Sequence, residues 1–197
     1  RQSKITYSQD YMSQALSNYP HITKDLYLLF SSRFSPHLSQ EERIDQQSFY
    51  ENNIMSALNS VPVLDDDTII RRYINAILST LRTNYFQNST EEHTPALAFK
   101  FDSEKLDDLP LPHPYREIFV YGSEVEGSHL RFGPVARGGL RWSDRKEDYR
   151  TEVLGLVKAQ NVKNAVIVPV GSKGGFFPKN LPANGNREDI FNSGKDA

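Results

Sequence analysis

The sequence predicts a mixed chain of the α+β or α/β class: a helical segment over residues 1–88, a linker with one strand over 89–114, and a mixed β-sheet portion over 115–197. Three observations predict it. Apolar residues recur at three- and four-residue spacing up to residue 88. The period changes to two after Pro114. The glycine-rich remainder then reads as strand, glycine loop, helix, strand and glycine loop.

In the helical segment, Leu26, Leu29, Phe30 and Phe34 mark a helix over Ile22 to Phe34, bracketed by Pro20 and Pro36. Ser39 and Glu42 form a capping-box pattern opening a helix that reaches Leu58, with Ile54, Met55 and Leu58 on one side. Asp65-Asp66-Asp67 begins the strongest helix, whose apolar stripe runs Ile70, Tyr73, Ile74, Ile77, Leu78, Leu81 and Tyr85. Aspartates at a helix start satisfy free N–H groups and complement the positive end of the dipole, which accounts for the triplet without a metal. The stripe itself reads as core.

The linker alternates Leu97, Phe99 and Phe101, which reads as one strand. His93 and His113 have no partner at ligand spacing and are read as loop histidines. Beyond Pro114, Glu117–Tyr121 and His129–Phe132 flank a long turn over 122–127 as a hairpin. Ser143 then caps a helix carrying Tyr149, Val153, Leu156 and Val157 and ending near Lys163-Asn164. A buried strand over Ala165–Val170 runs into a second glycine loop, Gly171 to Gly175. If the strands are parallel, both loops emerge at the carboxyl edge, where open α/β sheets bind ligands.

With 38% apolar and 24% charged residues, the chain is composed like an ordinary globular protein able to bury a core. No apolar run approaches the length of a membrane span, so no membrane partner is expected. The absence of cysteine removes disulfides, thiolate metal sites and a cysteine nucleophile, and is compatible with a reducing cytoplasm. A net charge of −2 argues against nucleic acid as a general partner, yet Lys and Arg exceed Asp and Glu between Arg131 and Lys179. The chain opens at Arg1 and closes in a polar run, as a fragment of something longer would.

Gly138-Gly139 lies beside Arg137 and Arg141, and Gly174-Gly175 beside Lys173. Glycine lets backbone approach a bound group closely, and the cations suit a small carboxylate or phosphate. The same glycines would serve equally in tight turns with solvated arginines. Gly133-x4-Gly138 has P-loop spacing but lacks the following Lys and Ser/Thr, and no G-x-G-x-x-G occurs, so a phosphate-loop NTPase is not supported.

The spelling adds to this. Gly133-Pro134-x-Ala136-Arg137-Gly138-Gly139-Leu140-Arg141-Trp142-Ser143-Asp144-Arg145, then Thr151-Glu152-Val153-Leu154-Gly155-Leu156, Lys163-Asn164-Ala165 and Pro169-Val170-Gly171-Ser172-Lys173-Gly174-Gly175, closely resembles the glutamate dehydrogenase substrate-domain signature. The Arg-Trp-Ser-Asp-Arg wording resembles the large, NAD-specific bacterial branch. The resemblance implies a domain-I-like sheet cut off before the Rossmann domain. It also implies oxidative deamination of L-glutamate to 2-oxoglutarate and ammonia, with NAD bound by a domain outside this chain, no cofactor-binding residue within it, and a homo-oligomeric, cytoplasmic enzyme. No metal is implied.

By the same resemblance Lys173 is the catalytic lysine that activates water. Lys163 holds the α-carboxylate, Arg137 the side-chain carboxylate, and Arg141, Gly138, Gly139, Gly171, Gly174 and Gly175 complete the substrate site. A lysine titrating near 10.4 in water needs desolvation or cationic neighbours to serve as a base. Arg137 replaces the lysine of many relatives, exchanging a point cation for a planar fork. The loop before Lys173 is one residue shorter than the common form. Parallel strands would leave Lys163 at the far end of the last strand from Lys173. Two alternatives remain: a dehydrogenase of another amino acid, or a helical assembly module of a larger enzyme. The isolated chain is expected to be inactive.

Overall fold

The computed structural model describes residues 7–87, 96–163, 170–182 and 184–196. His93 and residues 165–169 of the strand expected over Ala165–Val170 lie outside the described residues. Six helices and a six-stranded mixed sheet make an α+β fold, counted among the described residues.

Helices α1 (Gln9–Asn18), α2 (Pro20–Phe34), α3 (Gln40–Leu58) and α4 (Leu64–Ser79) pack around Ile22, Leu26, Leu29, Ile54, Leu58, Ile70 and Ile74. The capping box forms: Ser39 Oγ accepts from the Glu42 amide, and the Glu42 carboxylate accepts from the Ser39 amide. The three aspartates occupy the first turn of α4, and Asp67 pairs with Arg71 one turn on. Of the three residues expected on one side of α3, Ile54 and Leu58 carry the packing and Met55 is exposed.

The helix expected to continue to Tyr85 stops at Ser79. Residues Thr80–Thr83 form strand β1 instead, antiparallel to β2 (Leu97–Phe101). The helical spacing of Leu81 is overridden because the backbone groups here find partners in the sheet. Leu81 points out, and Tyr85 joins Phe86 around Phe30. Strand β2 appears where expected, and Phe99 packs against Phe30, which ties the helices to the sheet.

Strand β3 (Arg116–Tyr121) and β4 (Val125–Arg131) form the expected hairpin, but pairing starts at Val125, so the turn is tight. The Gly122 amide donates to the Val125 carbonyl at 2.8 Å. Both glycine loops are in fact strands: β5 (Ala136–Trp142) at the sheet edge and β6 (Val170–Pro178) inside it. Strand order is β1-β2-β3-β4-β6-β5, with β5 parallel to β6 and the remaining pairs antiparallel. The parallel partner of β6 is therefore β5, and the hairpin strand β4 runs the other way. Glycine is tolerated in β6 because neighbours press on it: a Cβ at Gly175 would lie 2.4 Å from Val153.

Helix α5 (Tyr149–Lys163) connects β5 to β6 and packs across β6 and β4. It starts six residues after Ser143, so Ser143 is no cap; its amide donates to the Phe176 carbonyl at 2.9 Å and closes the strand ladder. Among the described side chains of α5, Tyr149, Arg150, Val153, Leu154 and Val157 are buried, with Leu154 in the place expected for Leu156. Helix α6 (Arg187–Asp196) lies on the opposite face, where Gly194 abuts the Trp142 ring.

Arg150 anchors α5. Its Nε and Nη2 donate to the two carboxylate oxygens of Glu117 on β3 at 2.7 and 2.6 Å, with side-chain exposures of 2% and 7%. A buried bidentate pair is costly to break, because the remaining charge is stranded. Glu117→Gln should therefore lower stability by about 3–5 kcal/mol, whereas Glu117→Leu with Arg150→Met should recover most of that loss, read from urea unfolding midpoints.

Candidate active site

Pairing register brings the expected residues together. Across β3, β4, β6 and β5 one row reads Glu117, Leu130, Lys173 and Gly139. Cross-strand neighbours share a face, and Leu130 packs with Val153 and Leu154, so this row faces α5. Arg137 is level with Gly171 and Arg141 with Gly175, one pleat repeat to either side of Lys173 on the same face. Three cations thus border a sheet edge floored by Gly139, Gly171 and Gly175.

The space above that floor is open beside Lys173: a Cβ at Gly139 would meet nothing within 4 Å. Gly138 differs, since a Cβ there would collide with the Ser172 carbonyl. Gly174 belongs to the opposite face, where a Cβ would lie 2.4 Å from Leu140 and 3.2 Å from the half-buried His129. Burial and the neighbouring Arg131 lower the pKa of His129, favouring its neutral form. Lys173 is half-buried and Arg137 exposed, and among the described residues neither side chain has a hydrogen-bond or ion-pair partner.

Arg141 is placed otherwise. Its Nε pairs with Oε1 of Glu152 on α5, and Glu152 Oε2 accepts from the Ser143 hydroxyl at 2.8 Å. Ser143 Oγ in turn accepts from the Arg145 amide at 3.1 Å. The Ser143 hydroxyl first, then Arg141, hold the Glu152 carboxyl below the usual glutamate range. Sequence reasoning gave Glu152 no role. The available signal was its place in the first turn of the helix that follows two arginines and a serine.

Lys163 closes α5, and the described residues include its backbone alone. One turn earlier, Gln160 Nε2 donates to the Arg137 carbonyl at 3.4 Å. The last turns of α5 therefore lie at the Arg137 end of the site.

A cavity of about 450 Å³ lies between α1, α4 and the sheet, lined by Met12, Tyr73, Phe101, Phe119 and the Arg150–Glu117 pair among others. Neither Lys173 nor Arg137 borders it. A second cavity, of about 470 Å³, is lined by Arg33, Arg43, Arg82 and Thr80. The edge beside Lys173 is the better candidate, since it joins open space, unpaired cations and the glycine strands in one place. Among the described residues, no three His, Asp or Glu side chains gather as metal ligands, and no helix is long and apolar enough to cross a membrane.

Glycine-floored cations at the edge of a mixed sheet suit a small anion, and comparison with known proteins gives the family. Residues 53–197 match the family described as bacterial NAD-glutamate dehydrogenase, catalytic domain, and residues 1–36 match glutamate dehydrogenase, helical motif 3. The chain belongs to the bacterial NAD-glutamate dehydrogenase family. Its similar relatives include the NAD-specific glutamate dehydrogenases of Pseudomonas aeruginosa, 50% identical over 96% of this chain, and of Mycobacterium tuberculosis, 47% identical over 92%. That of Neurospora crassa is 30% identical over 86% of it. The chain spans 12%, 11% and 17% of the length of these three relatives.

Gly139→Ala should fold as the parent does, whereas Gly138→Ala should destabilise by about 2 kcal/mol or more, read from thermal unfolding. The Glu152 carboxyl should titrate below the unfolded glutamate value of about 4.3. A depressed folded pKa means its stabilisation is full above the unfolded value and is lost as pH falls through the lowered folded one. Carboxyl carbon NMR would show this; a normal or raised Glu152 titration would contradict the bridge to Ser143 and Arg141.

Proposed function

We propose that the enzyme containing this chain catalyses oxidative deamination of L-glutamate to 2-oxoglutarate and ammonia, and that residues 115–197 supply the glutamate-binding part of its site. One observation carries the reading: Arg137 and Lys173 flank open space above Gly139 on one face of the sheet. A dicarboxylate needs more than one cation, and an apolar amino-acid side chain would strand Arg137. Membership of the family supports glutamate over leucine or phenylalanine.

In this reading Arg137 receives the side-chain carboxylate with its planar fork and Lys163 the α-carboxylate. Lys173 is the base that takes a proton from the water attacking the imine. Gly139 and Gly171 keep the floor low enough for the substrate backbone to reach these groups, whereas Gly138 and Gly174, expected here, lie on the opposite face of the sheet and the space over Gly175 is filled by Val153.

NAD takes the hydride in this reaction. The residues described here do not fit its pyrophosphate: no G-x-G-x-x-G occurs, and the β5–α5 connection begins Ser143-Asp144-Arg145. The dinucleotide is accordingly bound outside this chain, and no step through it is assigned to these residues. The sheet portion is read as domain-I-like and as preceding a Rossmann domain. The helices α1 to α4 support it, and β1 and β2, from segments expected as helix and linker, extend its sheet. A homo-oligomeric enzyme in the cytoplasm, where NAD is available, completes the proposal.

In the full-length enzyme, Lys173→Ala should lower kcat by about 10²–10⁴ with unchanged circular dichroism. Retained turnover would remove Lys173 from the mechanism. Arg137→Leu should shift kcat/KM from glutamate toward norvaline by about 30-fold or more, the scale of a lost charged partner. Unchanged preference would take the side-chain carboxylate away from Arg137.

A further inference from the structure

Arg137 and Arg141 stand two residues before and two after Gly139 on β5, so both face the open space beside Lys173. By register alone, either could take an acid there. Helix α5 breaks the equivalence. Glu152, one turn into α5, places one carboxylate oxygen on Arg141 Nε and the other on the Ser143 hydroxyl. Ser143 is itself fixed, since its amide bonds Phe176 on β6 at 2.9 Å and it is buried. The Glu152 carboxylate is thus held at a set height above the end of β5, with a side-chain exposure of 19% against 53% for Arg141. Among the described residues, no acid pairs with Arg137, and α5 reaches it through the Gln160 amide, which donates to its carbonyl.

We propose that Glu152 is a positioning residue of the substrate site: it holds the Arg141 guanidinium on α5 and so leaves Arg137 and Lys173 as the cations that meet the bound acid. This rests on the glutamate-site reading above. A dicarboxylate reaching Arg141 must displace a tethered carboxylate of high effective concentration. At Arg137 it displaces only water. The device selects register as well as charge: the acid is drawn to the Arg137 end, where the last turns of α5 deliver Lys163.

The test uses the full-length enzyme and glutarate, a dicarboxylate without the amino group, as a competitor of L-glutamate. Glu152→Gln keeps the volume and an acceptor for Ser143 but frees Arg141. Its inhibition constant for glutarate should fall about threefold to fivefold, the scale of one partly exposed ion pair, and the gain should vanish at high salt. Adding Arg141→Met to Glu152→Gln should restore the parent value, a rescue that a merely structural role would not produce.

Arg141→Met alone should leave glutarate inhibition within threefold, because that guanidinium is already committed. This variant decides the matter should Glu152→Gln unfold. No tightening in folded Glu152→Gln, no rescue by the second substitution, or a loss beyond threefold in Arg141→Met would each overturn the assignment. Failure of glutarate to compete with glutamate in the parent enzyme would instead overturn the underlying site reading.

Discussion

Arg150 and Glu117 meet inside the protein, and most of what matters at the sheet edge follows from where they meet. A guanidinium and a carboxylate removed from water tolerate little displacement, because each depends on the other's charge and on two short hydrogen bonds. Arg150 belongs to the first turn of α5 and Glu117 to β3, so the pair sets the helix down across the sheet at one rotation and one height. From that placement Val153 and Leu154 fall on Leu130, and Glu152 falls beside Arg141.

The glycines make sense only against that helix. Gly175 has no room for a Cβ because Val153 occupies it, and Gly138 has none because the Ser172 carbonyl does. Gly139, by contrast, is bare with space above it. One residue type therefore serves close packing at two positions and vacancy at a third. Reading all of them as loops missed that a glycine strand can lie inside a sheet when its neighbours need the room.

Electrostatics at the edge are graded rather than uniform. Arg150 is neutralised deep in the core by Glu117, Arg141 at the rim by Glu152, and Arg137 and Lys173 by no described side chain. An anion approaching the edge therefore meets two cations with unspent charge, close to the helix end that carries Lys163. The same strand face holds all of them because pleat alternation puts Arg137, Gly139 and Arg141 on one side.

The sequence by itself determined the three helices between Ile22 and Ser79, the pairing of the two hairpin strands, the capping box at Ser39, and the family through the spelling from Gly133 to Gly175. These are local: period, cap chemistry and ordered wording do not depend on distant residues. Tertiary structure decided that Thr80–Thr83 is a strand, since its partner Leu97–Phe101 stands across a gap in sequence that no helical period can register. It decided that β5 rather than β4 is the parallel neighbour of β6, which brings Arg137 and Arg141 level with the residues flanking Lys173. It also separated the two arginines, identical by type and spacing, because only the docking of α5 gives one of them a carboxylate.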